Sequence, residues 1–249
     1  MTSEFRIEDF SSTHVGEVRS ENEDSYVAIP EARIWVVADG MGGHVNGKYA
    51  SQAIADAAEE VTYPDDLEHA CDTLAQAVHQ ANAAIFAKSL EAGTQMGSTF
   101  VGLVIRGNQF AVLWSGDSRA YVYRDHQLVQ LTSDHTQVQA MIDRGLLTPE
   151  EALTHPMRHV LARAVGVEDV LQIDAIRDSI LPGDMFLLCS DGLYGQVNDK
   201  EIGEILGRSS EIACDELVAL CLARGAPDNV TVTLVSVIEL TLLVLSGET

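Results

Sequence analysis

Three aspartates stand at the edges of apolar runs, in the positions a hard cation would ask of its ligands. Trp35-Val36-Val37-Ala38-Asp39-Gly40 and Leu187-Leu188-Cys189-Ser190-Asp191-Gly192 share one plan, an apolar run closing on Asp-Gly. Leu113-Trp114-Ser115-Gly116-Asp117-Ser118 is a looser version, and Asp228-Asn229 stands immediately before the apolar run 230–237. Taken singly, an Asp-Gly reads as ordinary turn chemistry. As a set they read differently. In an antiparallel sheet the end of one strand and the start of its neighbour share an edge, so Asp39, Asp191 and Asp228 can converge, and Glu23 and Asp24 can join them. Burying such charges unpaired costs several kcal/mol per ion, and few basic residues lie nearby. All-oxygen donors without a paired His or Cys favour Mg²⁺ or Mn²⁺. Two such ions about 3.5–4 Å apart activate water and clamp the oxygens of a phosphoryl group.

Other residues add to this chemistry or bound it. Arg19 precedes Glu23 by four positions in Arg19-Ser20-Glu21-Asn22-Glu23-Asp24. A guanidinium there suits bidentate phosphate capture, with pairing to Glu21 or Glu23 as the plainer role. His44, after the glycines that follow Asp39, is the candidate acid toward a leaving alkoxide. Arg119 reads as structural, pairing within the Asp117-Ser118-Arg119 turn. His135 reads as fixing a loop, and His155 and His159 as loop residues around Pro156 and Met157. The chain has no His-x-x-x-His pair, no G-x-S-x-G elbow and no G-x-x-x-x-G-K-[ST] loop, which lowers the serine-hydrolase and nucleotide-triphosphatase readings.

Bulk properties narrow the field further. A net charge of -23 argues against nucleic acid and against anionic membrane surfaces. Hydrophobic residues make up 46% of the 249, enough for a sizeable core. Cys71, Cys189, Cys214 and Cys221 form no C-x-x-C pair and read as free thiols in a reducing, cytoplasmic setting. The first ten residues carry no signal-peptide core. The late apolar stretch 230–245, broken by Glu239, is shorter than the roughly 20 residues of a membrane span, and its tail 240–245 has no evident role.

The elements that must position these residues follow from periodicity. Two weak strand signals lie in 15–27, and 34–38 is a buried strand. Helical spacing runs over 48–61, stopped by Tyr63-Pro64. A longer helix runs from an Asp65 or Asp66 N-cap to about Leu90, ended by Gly93. The period then changes to 2: strands at 98–105 and 109–114 around a Gly107-Asn108 turn, then 120–123 and 127–131. Short helices are expected over 136–163, with Thr148-Pro149-Glu150-Glu151 as a capping box. A strand at 185–190, helices at 198–206 and 210–223, and a strand at 230–237 complete the chain. No repeat or linker interrupts 1–249, so a single domain is expected. Two helix pairs and about eight to ten strands, in blocks, point to an α+β architecture: a central antiparallel β-sandwich with helix pairs outside both faces.

The segments 19–24, 37–44, Gly97-Ser98-Thr99, Gly116-Asp117-Ser118-Arg119, Thr132-Ser133-Asp134-His135, Ser190-Asp191-Gly192 and Asp228-Asn229-Val230-Thr231-Val232 together resemble the bacterial metal-dependent serine/threonine protein phosphatases of the type 2C family. They fall in the family's order and span roughly residues 10–238. The resemblance implies a four-layer fold with a helical flap over 136–158. It implies that Asp39 bridges two Mn or Mg ions, that Asp191 and Asp228 complete one shell, and that Glu23 and the Gly40 carbonyl serve the other. Asp117 with Asp191 would form a third, weaker site, and Arg19 would hold the substrate phosphate. Position 41 is Met where many eukaryotic relatives carry a His proposed as general acid, so His44 and a water on the metal both stand as proton donors. Position 195 is Gly where an acidic residue often supports the third site. The implied activity is hydrolysis of phosphoserine and phosphothreonine in proteins by a monomer that opposes a Ser/Thr kinase. The alternatives are a phosphatase-like binding or sensing module and a small-molecule metal phosphoesterase.

Overall fold

The computed structural model describes residues 5–43, 45–152 and 154–239. His44 and the tail 240–245 lie outside the described residues. The apolar run around Trp35 forms β3 (Ile34–Met41), and its alternation shows how the molecule is layered. Ile34, Val36 and Ala38 pack into a cluster with helical side chains, whereas Trp35 and Val37 face a second sheet. Side chains alternate faces along a strand, so an unbroken apolar run means that both faces are covered.

Two sheets share the core. One has the order β1 (Phe5–His14), β11 (Val230–Glu239), β10 (Met185–Cys189), β7 (Arg119–Arg124), β8 (Gln127–Gln130). The other runs β2 (Asp24–Ile29), β3, β5 (Phe100–Arg106), β6 (Gln109–Ser115), β9 (Asp174–Ser179), with β4 (Gly97–Ser98) paired to the end of β3. All of these pairings are antiparallel. Between the sheets Trp35, Leu103 and Val112 meet Val122, Leu188 and Val235, and the Phe110 and Phe186 rings lie 4.6 Å apart across the gap. The result is a β-sandwich with several helices, the α+β class expected.

Helices α1 (Val45–Glu59) and α2 (Leu67–Ala92) bury Ile54, Leu74, Val78 and Ile85 against the second sheet. Asp66 caps α2 by accepting the His69 N–H, and Gly93 ends it in the left-handed region at φ +62°. After β8 come α3 (Gln137–Asp143) and α4 (Pro149–Ala152), the latter entered through the expected reciprocal Thr148–Glu151 box. A turn of helix, α5 (Asp191–Tyr194), leads to α6 (Asp199–Leu206) and α7 (Ser210–Ala223), which bury Ile202, Leu206, Leu217 and Cys221 against the first sheet.

The structure departs from expectation at three elements. Residues 15–23 are loop and turn, so of the two strand signals expected in 15–27 only the second forms, beginning at Asp24. β1 was hidden by its charged and hydroxyl residues, which sit on an edge strand paired over ten residues with β11. β9 is also an edge strand with mostly exposed side chains and gives little hydrophobic period to read. Among the described residues, no helix is long and apolar enough to cross a membrane.

Candidate active site

One edge of the sandwich collects the carboxylates. Asp39 continues the Trp35–Val37 parity of β3, and its register partner across the ladder is Asp24, the first residue of β2. β10 ends at Cys189, opposite Val232 of β11 and Arg119 of β7. Asp191 follows two residues later at the start of α5, and Asp228 stands two residues before β11. Asp117 lies in the turn between β6 and β7. Antiparallel pairing thus brings these strand ends and starts to one rim. The charges of Asp24, Asp117, Asp191 and Asp228 all act on Asp39.

That rim is short of positive charge. Burial, followed by the Asp191 and Asp228 charges, raises the Asp24 carboxyl to about 7 despite hydrogen bonds from Thr231 and Ser190. Burial and Asp191 raise Asp117 to about 8. Burial raises Asp39 and Asp191 as well, with the charges of Asp24, Asp191, Asp117 and Asp228 adding to it at Asp39 and that of Asp228 at Asp191. Asp24 Oδ1 is buried with no hydrogen-bond donor among the described residues. A cluster of oxygen donors that must hold protons to coexist fits a hard divalent cation, whose charge would replace those protons. No three His, Cys, Asp or Glu side chains among the described residues are pre-arranged as a ligand group.

Glu23 and Gly40 meet at a second point of the rim. A Cβ built on Gly47 of α1 would collide with Glu23 Oε2 and come within 2.9 Å of the Gly40 carbonyl. Both oxygens therefore face the space that the glycine leaves. Lys48 Nζ donates to the Asp24 carbonyl at 2.7 Å and to Ser25 Oγ at 3.1 Å, and Ser51 Oγ donates to the Glu23 carbonyl. The first turns of α1 thus hold the Glu23-Asp24 backbone.

Further polar residues set the carboxylates in place. Thr99 Oγ1 accepts the Asp39 N–H at 2.9 Å, while Ser98 Oγ donates to the Asp39 carbonyl at 2.9 Å. Ser190 Oγ donates to Asp24 Oδ2 at 2.8 Å, a tie between the two sheets. Asn229 accepts the Glu23 N–H at 2.8 Å and donates to the carbonyls of Val15 and Glu21 at 2.8 and 2.9 Å. That clamp shapes the loop carrying Arg19. Sequence reasoning quoted Ser98, Thr99, Ser190 and Asn229 as parts of motifs but gave them no task, and it passed over Lys48 and Ser51. The available signal was their adjacency to the Asp positions.

Arg19 donates to Asp228 Oδ2 at 2.7 Å, and its side chain is 54% exposed, so it stands at the rim with donors to spare. Its partner is Asp228 rather than the nearby Glu21 or Glu23. Arg119 corrects the expectation of a local turn pair: its guanidinium is bidentate to Asp134 at 2.9 and 2.6 Å and lies over the Tyr194 ring. The Tyr194 hydroxyl donates to the Asp117 carbonyl at 2.9 Å. His135 fixes a loop as expected, its Nδ1 accepting the Gly116 N–H at 3.1 Å. His155 and His159 lie outside regular helices, but the charge of His159 reaches Asp191 and favours its ionised form.

Comparison with known proteins places this geometry among relatives. The family profile described as Protein phosphatase 2C matches residues 14–221. The chain is 41% identical over 231 residues to the serine/threonine protein phosphatase PstP of Mycobacterium tuberculosis, covering 90% of this chain and 44% of that protein. It therefore spans less than half the length of that relative. It is 34% identical over 246 residues to the serine/threonine phosphatase stp of Listeria monocytogenes, covering 94% of this chain and 95% of the other. The solved catalytic domain of a serine/threonine protein phosphatase PstP in complex with two manganese ions superposes with a TM-score of 0.83 at 36% identity, covering 95% of this chain and 100% of that one.

Proposed function

This chain belongs to the protein phosphatase 2C family, and from that premise we propose that it hydrolyses phosphoserine and phosphothreonine in proteins at the carboxylate rim. The observation that carries the proposal is the gathering of Asp24, Asp39, Asp117 and Asp191 at one edge of the sandwich, where burial raises each carboxyl and neighbouring aspartates add to it, an arrangement suited to cations. Mn²⁺ or Mg²⁺ ions, when bound, supply Lewis acidity that lowers the pKa of water and neutralises phosphoryl charge. In this reading Asp39, Asp191, Asp228, Glu23 and the Gly40 carbonyl would hold two ions, with Asp39 contributing to both. Asp117 and Asp191 offer a third, weaker site.

The chain's own groups have separable tasks. Asp39 and Asp191, whose carboxyls burial raises, would be held in their ionised form by a bound cation. Arg19 keeps one amino group on Asp228 and turns its remaining donors to the substrate phosphate, whose oxygens match the planar fork. Ser98 and Thr99 grip the Asp39 backbone from both its N–H and its carbonyl, so the carboxylate keeps its place while its protonation changes. Proton delivery to the leaving alkoxide falls to His44 or to water, because Met41 carries no proton to give. Residues 1–249 act as one catalytic domain with helices on both faces of the sandwich and the segment 136–158 as a flap. The four free cysteines support a reducing, cytoplasmic setting, in which a monomer would oppose a Ser/Thr kinase.

The test is hydrolysis of a phosphopeptide with Mn²⁺, with a chelator, and with Asp39→Ala. The wild type is expected to lose activity to the chelator and regain it with Mn²⁺, and Asp39→Ala is expected to fall to background while folding normally. Turnover at the wild-type rate by Asp39→Ala, or hydrolysis that ignores the chelator, would overturn the reading.

A further inference from the structure

Beside the carboxylate rim lies a cavity of ≈ 280 Å³ to which the reaction itself gives no task. Met96 and Leu171 are buried in its floor, and Met41 enters from the end of β3. Val160 and Val170 stand at its mouth, 46% and 74% exposed. Single apolar groups on a surface are commonplace, but apolar groups gathered at one opening mark a contact site. Arg163 also lines it, with its guanidinium committed to Asp174 at 2.6 Å.

The cavity is built rather than incidental. Gly42 forms one wall at φ +125°, where a Cβ would come within 2.8 Å of the Gln95 carbonyl and 3.0 Å of Met96 Cα. Asn82, buried in α2, holds the opposite wall. Its amide donates to the carbonyls of Glu168 and Asp169 at 3.0 and 3.2 Å, and its carbonyl accepts the Gly166 N–H at 2.6 Å. The cavity is also continuous with the rim. Met41 is two residues beyond Asp39 in the same strand, an offset of about 7 Å.

We propose that this cavity is a specificity pocket for phosphoprotein substrates, taking one apolar side chain that stands two residues from the phosphorylated Ser or Thr. The inference rests on the phosphatase reading above. The volume lies below the roughly 300–1,000 Å³ of pockets that hold drug-sized ligands, which suits a single side chain. An extended peptide advances about 3.3 Å per residue with alternate side chains on one face. A residue two positions from the phosphorylated one is therefore offset by the same distance that separates Met41 from Asp39. With Arg163 already paired, and with the exposed Glu168 at the edge of a chain of net charge -23, an acidic side chain finds no partner there.

The experiment compares kcat/KM for phosphopeptides of one parent sequence, substituted with Leu, Ala or Asp at each of the three positions on either side of the phosphorylated residue. At the position two residues away on one side, Leu is expected to exceed Ala by about tenfold, and Asp to fall below Ala. Val160→Asp and, separately, Val170→Asp are expected to bring that Leu-to-Ala ratio close to one. Each ratio is taken within one protein, so a partly unfolded variant still reports it. Wild-type ratios within about twofold at every position, or a preference that survives both substitutions, would overturn the pocket while leaving the phosphatase reading intact. Failure of the wild type to hydrolyse any phosphopeptide would overturn both.

Discussion

A carboxyl held near pH 7 is a group short of positive charge, and Asp24 is the plainest case here. Burial is the first cause, Ser190 and Thr231 offset part of it, and the neighbouring aspartates add to it. The folded chain then holds protons that the unfolded chain, with Asp near 3.9, has released. Their contribution to stability without cations should therefore be full below about pH 4 and decline as pH rises through the raised values, about 7 for Asp24 and about 8 for Asp117. Melting curves in chelator should show Tm falling between pH 5 and 8, with Mn²⁺ restoring it. Asp24→Asn, which keeps an acceptor for Ser190 but carries no charge, should flatten that decline and weaken Mn²⁺ binding. A Tm that rises with pH in chelator would contradict the charge balance described. At this scale much was legible: Asp39, Asp191 and Asp228 announce themselves as polar residues closing or opening apolar runs. Lys48, Ser51 and Ser190 do not, because a hydroxyl or ammonium acquires its task only where a distant backbone carbonyl or carboxylate lands beside it. Arg119 misled for the same reason, its bidentate partner Asp134 lying across a hairpin rather than in its own turn.

Among the elements, α2 was read closely because its ends carry their own chemistry, the Asp66 cap and the left-handed Gly93. Its middle was not. Asn82 sits where a helix buried against a sheet would ordinarily place an apolar residue, and its hydrogen bonds run to the loop after Val165. Asn82→Leu should keep the helix but leave the Gly166 N–H without its partner, at a cost of about 1–3 kcal/mol. Urea unfolding measures that cost; a change under about 0.5 kcal/mol would mean that the loop finds other partners. β1 escaped for the opposite reason to α2. Its Ser11 and Thr13 hydroxyls meet Thr233 and Thr231 of β11 at 3.0 and 2.7 Å, contacts that no hydrophobic period announces. Edge strands carry polar residues to discourage further pairing, and that same composition hides them from a search for alternation.

For the whole molecule, the rim draws carboxylates from both halves of the sandwich. Asp24 and Asp39 belong to one sheet, Asp191 and Asp228 flank strands of the other, and the Ser190–Asp24 hydrogen bond ties the two. The net charge of -23 surrounds this rim with a field that attracts cations and repels acidic peptides. Raising ionic strength from about 0.05 to 0.5 M should weaken Mn²⁺ affinity several-fold by screening that field. Titration calorimetry at the two salt levels checks this, and an affinity indifferent to salt would confine the attraction to the ligands themselves.

The strand order holds one more consequence. β1 is the first strand of the described chain and β11 the last, yet they are hydrogen-bonded neighbours from Phe5 opposite Glu239 to His14 opposite Val230. A chain emerging from the ribosome would carry β1 unpartnered until β11 had followed it out, and would lack Asp228 for nearly as long. Synthesis itself would then set the moment at which the rim can assemble, since its carboxylates are drawn from strands that far apart in the chain.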